Sequence, residues 1–245
     1  MLTVHHLNNS RSQRVLWLLE ELGVPYEIVR YQRQPDMRAP KELRAIHPLG
    51  KSPVVTDNGN TIAESGAILE YIIATYGNGR LIPPADTPER LRYTYWLHYA
   101  EGSAMTPLLL KLLFTLMPKR APALLRPLVR KVSNTALSTL VNPQLKQHMA
   151  YWEGELGKSE WFAGNDFSGA DIQMSFPLEA AAARGGLEDG HPRCVAFLER
   201  IHARPAYARA WRRAGRTRLV DRFAFIAGSS GFDVSIYIRV LLPRQ

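Results

Sequence analysis

Between Leu2 and Leu22 the chain changes its hydrophobic period once, across a polar turn. That change limits what can be built around it. Leu2-Thr3-Val4-His5 reads as a short strand. Asn8-Asn9-Ser10-Arg11-Ser12-Gln13-Arg14 follows, and beyond it Val15, Leu16, Leu18, Leu19 and Leu22 fall at helical spacing with one broad apolar face. Gly23 suits the left-handed residue after a helix, Pro25 stops its continuation, and Tyr26-Glu27-Ile28-Val29 alternates like a strand. Strand, helix, strand is a compact parallel crossover unit. The polar run sits where the strand gives way to the helix. Backbone N–H groups there lack partners and the helix dipole adds partial positive charge, so an anion is stabilised. Ser10 and Ser12 also suit plain N-caps. This stretch alone leaves both uses open.

Further on, Gln32–Ile46 reads as a loop with a short helix around Pro40–Ala45. Pro53 stands directly before Val54-Val55-Thr56, although proline cannot donate to a strand ladder. A cis Ser52–Pro53 bond turning sharply into the strand accounts for it. Asp57-Asn58-Gly59-Asn60 is a hairpin signal, with Thr61-Ile62-Ala63 as the return strand. Glu64-Ser65 opens a helix whose buried face is Ile68, Leu69, Ile72 and Ile73. The Pro-rich stretch from Leu81 to Pro88 marks a domain boundary. The expected division is 1–80, a linker over 81–88, an all-helical domain over 89–215, and an atypical β-prone tail over 216–245. In the helical part, Leu91, Tyr95 and Tyr99 share a face, and Pro118, Pro122 and Pro127 interrupt the second helical run. Phe167-Ser168-Gly169-Ala170-Asp171-Ile172 is a capping box, and Pro177 falls inside the helix that follows it.

The net charge of +9 favours anionic partners. Lys119, Arg120, Arg126, Arg130 and Lys131 cluster over 118–131 with no acid among them. A solvated basic helix face explains them, and peripheral contact with anionic lipid is the second reading. Aromatic and basic residues are not interleaved as in a single-strand binder, so no nucleic-acid partner is expected. The single cysteine, Cys194, rules out an internal disulfide and argues against a Cys-based metal cluster. No metal is expected. Apolar runs are too short to span a bilayer, and no basic-then-apolar leader opens the chain, so a cytoplasmic location is expected.

A helix start with a serine hydroxyl holds a carboxylate, and an acidic side chain beside it holds an ammonium. Glu64-Ser65 therefore suits a free α-amino-acid group, although an ordinary cap explains the pair too. The strand edge beside Pro53 suits an extended peptide. Arg38, Lys41 and Lys51 are cations that could meet a second carboxylate.

These motifs resemble those of the cytosolic glutathione S-transferases. The resemblance rests on Leu7–Arg14, on His47-Pro48-Leu49-Gly50-Lys51-Ser52-Pro53, on Glu64-Ser65-Gly66-Ala67-Ile68-Leu69 and on the box at 167–172. It covers roughly residues 1–215 and is similar to a fungal and bacterial serine-type branch. It implies a thioredoxin-like N-terminal domain (βαβ then ββα), an all-helical C-terminal domain, a homodimer, and glutathione as co-substrate for a small electrophile. By motif position, Ser10 matches the hydrogen-bond donor to the glutathione sulfur, with Asn9 a second candidate. Ser52 and Pro53 match the anchor of the cysteinyl unit, Glu64 and Ser65 hold the γ-glutamyl end, and Arg38 and Lys51 reach the glycyl end. His47 stands where many members have Asn. Tyr95, Tyr99 and Met105 are candidates to line the second-substrate pocket, and core packing explains them equally well.

The implied chemistry is thiolate activation for conjugation. A thiol with a pKa near about 8.5 carries little charge at neutral pH. A hydroxyl donating to S⁻ is worth roughly 1.5–3 kcal/mol, about one to two pKa units. Glutathione-dependent disulfide reduction or peroxide reduction is an alternative, and a non-catalytic binding module on the same fold is another. No cysteine lies near the first helix, which argues against a mixed disulfide with a protein thiol there.

Overall fold

The computed structural model describes residues 1–215 except Pro35, Met37, Gly185, Glu188 and Asp189. The tail over 216–245 lies outside the described residues. The fold is a thioredoxin-like domain with a four-stranded mixed sheet, followed by an all-helical domain.

The sheet has the order β2-β1-β3-β4, from Glu27–Tyr31 (β2), Thr3–Leu7 (β1), Val54–Asp57 (β3) and Asn60–Ala63 (β4). β1 is buried from Val4 to Leu7, as its central position demands. It pairs in parallel with β2, Val4 opposite Ile28, and antiparallel with β3, Val4 opposite Val55. The parallel pairing requires a crossover, and α1 (Ser12–Leu22) supplies it, burying Val15, Leu16, Leu18 and Leu19 on the sheet side of its apolar stripe. Gly23 at φ 69° closes α1 in the left-handed conformation, its N–H on the Leu19 carbonyl. β3 returns to β4 through Asn58 at φ 48° and Gly59 at φ 80°, a turn needing positive φ at both positions. α2 is short, Lys41–Ile46, and α3 runs Ser65–Tyr76 with Ile68, Leu69, Ile72 and Ile73 buried.

The described residues group into two compact units, one of Met1–Ile72 with residues 203–215, the other Ile73–His202. The last described helix, α10 (Pro205–Ala214), packs against α1 within the first unit. The physical reason is the charge and aromatic match between α10 and α1. Arg204 grips Glu21 through two bonds of 2.6 and 3.0 Å. Arg209 and Arg213 reach Glu20 at 2.8 and 3.1 Å. The Tyr207 ring meets Trp17 edge-on at 5.1 Å.

In the other unit, α4 (Pro88–Tyr99) starts at Thr87, whose hydroxyl accepts the Arg90 N–H at 3.2 Å. A π turn at Ala100–Ala104 carries it into α5 (Met105–Arg120). Then come a 3₁₀ turn at Ala123–Leu125, α6 (Arg126–Ala136), a π turn at Leu137–Val141, α7 (Asn142–Glu155), α8 (Gly169–Arg184) and α9 (Pro192–His202). The buried residues of α4 are Tyr93, Trp96, Leu97 and Tyr99, while Leu91 and Tyr95 are exposed. Pro118 is tolerated inside α5, and Pro127 sits in the first turn of α6, where its missing N–H costs nothing. The capping box closes as its spacing requires. Asp171 accepts the Ser168 N–H at 2.9 Å and the Phe162 N–H at 2.8 Å, and the Ser168 hydroxyl accepts the Ala170 N–H at 3.3 Å. Burial pushes the Asp171 carboxyl up to about 6, against the pull of these bonds.

Candidate functional site

The turn from β1 into α1 carries four buried or half-buried polar side chains in one hydrogen-bonded line. Ser10 Oγ lies 3.1 Å from Ser52 Oγ, 2.7 Å from Ser12 Oγ and 3.3 Å from the Ser12 N–H, which it accepts. Ser12 Oγ lies 2.8 Å from His6 Nδ1. Ser52 Oγ donates to the His5 carbonyl at 3.1 Å and accepts the Leu7 N–H at 3.3 Å. α1 begins with Arg11 in the cap position and no side-chain cap bond, so neither serine is an N-cap in register. Ser10 instead makes the tighter turn over Ser12 that serine favours just ahead of a helix.

The direction of the line follows from proton counting. Ser52 spends its proton on the His5 carbonyl, so Ser10 is the donor to Ser52. Ser12 is then the donor to Ser10, and His6 Nδ1–H the donor to Ser12. His6 is neutral in this arrangement. Burial, with a smaller contribution from Arg30, pushes its pKa down to about 4. The line thus runs from His6 through Ser12, Ser10 and Ser52 to the His5 carbonyl, and the Ser10 proton can turn from Ser52 to an anion without any other proton moving. His6 is a member of this line that sequence reading did not select, and Ser12 was read there as an N-cap candidate. The signal was available: His6 is a polar residue on a strand that also carries Val4 and Leu7 and is buried from Val4 onward.

Ser52 and Pro53 meet through a cis peptide bond at the start of β3. Asn9 sits next to Ser10 at φ 51°, a conformation asparagine tolerates. Its carbonyl accepts from Arg33 Nη2 at 3.4 Å, and Arg33 also binds Asn8, whose side-chain oxygen takes the Arg33 N–H at 2.8 Å. The Asn8-Asn9 turn is thereby clamped to the segment after β2.

The second half of the site is the start of α3. Ser65 is buried and its hydroxyl accepts from Arg14 Nη2 at 3.2 Å. Arg14 is itself buried on α1, so a guanidinium joins the starts of α1 and α3. Sequence reading missed Arg14 as a tie between motifs, although it lies four residues before Leu18 on the apolar stripe. Glu64 is exposed at φ 71°, a left-handed conformation costing a non-glycine residue about 1–3 kcal/mol. Arg38 and Lys51 are both exposed, Arg38 with an ion pair to Asp36 at 3.7 Å.

Tyr95, Tyr99 and Met105 belong to the other unit. Tyr99 and Met105 are buried, and Tyr95 is 45% exposed. The Tyr99 hydroxyl contacts His148 and accepts from Trp152 Nε1 at 3.1 Å, and burial pushes its pKa up to about 12. Tyr95 meets the Tyr151 hydroxyl at 3.2 Å. Cys194 is buried, and burial with Glu153 nearby raises its thiol pKa, so it is not a ready nucleophile. Among the described residues no three His, Cys, Asp or Glu side chains cluster as a metal site.

The turn and helix starts described above bring together hydroxyls and helix N-termini, groups that favour an anion. Comparison with known proteins gives the family. The glutathione S-transferase N-terminal domain family matches residues 1–74, and the glutathione S-transferase C-terminal domain family matches residues 116–205. Glutathione S-transferase 3 of Schizosaccharomyces pombe is 40% identical over 181 residues, 74% of each chain. Glutathione S-transferase 1 of Saccharomyces cerevisiae is 33% identical over 217 residues, 85% of this chain and 93% of that one. Among solved structures, a glutathione S-transferase from Actinobacillus pleuropneumoniae is 31% identical with a TM-score of 0.72, covering 90% of this chain and 96% of its own. A sphingomonad glutathione S-transferase solved in complex with glutathione shares the fold at 24% identity and a TM-score of 0.67, covering 87% of this chain and 98% of its own.

Proposed function

From the premise that this chain belongs to the glutathione S-transferase family, we propose that it activates the thiol of glutathione for conjugation to small electrophiles, with Ser10 as the donor to the sulfur. The observation that carries this reading is the polarised line His6–Ser12–Ser10–Ser52, which presents the Ser10 hydroxyl as a donor beside the first turn of α1. Glutathione binds with its cysteinyl main chain along the β3 edge at Ser52 and Pro53. Its γ-glutamyl end lies at α3, where the buried Ser65 hydroxyl and the helix N-terminus take the carboxylate and Glu64 takes the ammonium. The strained φ of Glu64 fits a residue held for a ligand rather than for stability. Arg38 and Lys51, both exposed, receive the glycyl carboxylate, a contact expected to weaken with salt.

The thiolate is stabilised by the Ser10 hydroxyl and the α1 dipole. Serine donates and does not ionise. The thiolate attacks the electrophile, forms the carbon–sulfur bond, and the leaving group departs with the displaced electron pair. Tyr95 is the accessible candidate for the electrophile pocket, with Tyr99 and Met105 supporting it through packing. Glutathione-dependent disulfide or peroxide reduction on this site would need two glutathiones, since the described chain offers no reactive thiol near α1. The functional unit is read as a homodimer in the cytoplasm, where glutathione is kept reduced.

Calorimetry with reduced glutathione, followed by an activity panel of an aryl halide, a hydroperoxide and a mixed disulfide, tests the reading. Binding with aryl-halide turnover is expected. No glutathione binding would overturn it, and turnover confined to the disulfide or hydroperoxide would replace conjugation by reduction.

A further inference from the structure

Seven of the chain's 31 Lys and Arg side chains fall in one stretch that carries no acid. Between Glu101 and Glu153 the sequence has no aspartate or glutamate. Within that interval α5 and α6 pack against each other and are joined by a short turn. Lys119, Arg120, Arg126, Arg130 and Lys131 are exposed on this helical hairpin, with no acid in the interval to pair with them.

Apolar side chains stand among these cations instead of beneath them. Along α5, Leu109, Leu113 and Met117 recur every fourth residue and all are exposed. Across the turn Leu124 is 90% exposed, Leu128 62% and Val132 58%, again at four-residue spacing. On α6 the buried side is marked by Ser133. Pro127, Arg130, Lys131, Asn134, Thr135 and Ser138 line a shallow depression of about 560 Å³ on another face. Helical geometry sets the leucine stripe directly beside that basic, hydroxyl-bearing face.

An exposed apolar patch of this kind marks a surface meant to be covered. Its charge separates the possible occupants. A second copy meeting the same face across a two-fold axis would set these cations against themselves. A single strand of nucleic acid stacks on aromatic rings, and the exposed side chains here are aliphatic. An anionic bilayer surface accepts both features, leucines at the acyl boundary and cations at the headgroup phosphates. Among the described residues no helix is long and apolar enough to cross a membrane, so the hairpin would lie on the bilayer.

We propose that the α5–α6 hairpin docks this protein on the surface of anionic phospholipid membranes. The proposal stands apart from the glutathione site and does not depend on it. It is tested by vesicle flotation of the full chain with phosphatidylcholine alone and with equal parts phosphatidylcholine and phosphatidylserine. Binding is expected to the anionic vesicles only and should weaken as salt is raised. Arg126→Gln with Arg130→Gln should lower it about thirtyfold, at about fivefold for each cation. Leu124→Gln with Leu128→Gln, at exposed positions that leave the core untouched, should abolish it while light scattering shows an unchanged mass. The proposal is overturned by absent binding to anionic vesicles, by equal binding to neutral ones, or by variants that bind as well as the parent. A fall in mass in the leucine variant would also overturn it and make the hairpin a contact between copies.

Discussion

Ser10 matters because of what stands behind it. A lone serine hydroxyl can point its proton at several acceptors, and only one of these serves a thiolate. In this chain the line from His6 through Ser12 fixes Ser10 as a donor. Replacing His6 should therefore reach the sulfur without touching it. His6→Asn keeps an N–H near the Nδ1 position and should retain the thiolate pKa of bound glutathione, whereas His6→Phe should raise it. Spectrophotometric titration of both variants checks this, and equal pKa values in the two would remove His6 from the line. The same residue predicts a pH effect on stability. Its folded pKa lies near 4, below the ordinary 6.5. The unfolded chain thus takes up a proton first, and stability is complete above about pH 6.5 and falls as pH drops toward about 4. The contribution at stake is roughly 3 kcal/mol. Denaturant melts of His6→Phe across that window should show a shallower acid loss than the parent.

The strands and helices were legible wherever one physical signal dominated. The crossover β1–α1–β2, the Asn58-Gly59 turn, the buried face of α3 and the Ser168–Asp171 box all followed from period, turn chemistry or cap spacing. The site was legible as separate motifs, and its wiring was not, because hydrogen bonds between residues 6, 12, 14, 52 and 65 depend on how the elements pack. Local pattern also misjudged single residues. Ser10 and Ser12 read as caps in the sequence and are links in the structure. The β4-to-α3 junction offers a test that opposes stability to function. Glu64→Gly relieves a left-handed φ and should raise stability by about 1 kcal/mol after glycine's entropic cost, yet weaken glutathione binding. A melt and a titration on the same sample check both. At α8, Ser168→Ala should cost about 1 kcal/mol by loss of the cap, seen as a lower denaturation midpoint.

At the scale of the molecule, the first and last described helices hold each other within one unit. α10 completes the first unit through Arg204 on Glu21 and through Arg209 and Arg213 on Glu20. Burial works to raise the Glu20 carboxyl, and the bonds from Arg209, Tyr26 and Arg213 outweigh it, so its pKa falls below the ordinary value. Its contribution is present above that ordinary value and lost as pH falls through the folded one. A chain ended before Pro205 should melt well below the parent and lose glutathione binding, because α1 carries both the α10 contacts and the sulfur site. Circular dichroism with calorimetry on that truncation checks it.

One measurement decides whether Ser10 activates the sulfur: the pKa of bound glutathione, read from thiolate absorbance in the parent and in Ser10→Ala, Ser12→Ala and Asn9→Ala. The parent should titrate below the free thiol's value of about 8.5. Ser10→Ala should raise the pKa by about one to two units, the worth of one charge-assisted hydrogen bond, while glutathione affinity changes far less. An unchanged pKa in Ser10→Ala, or a shift confined to Asn9→Ala, would contradict the role given to Ser10.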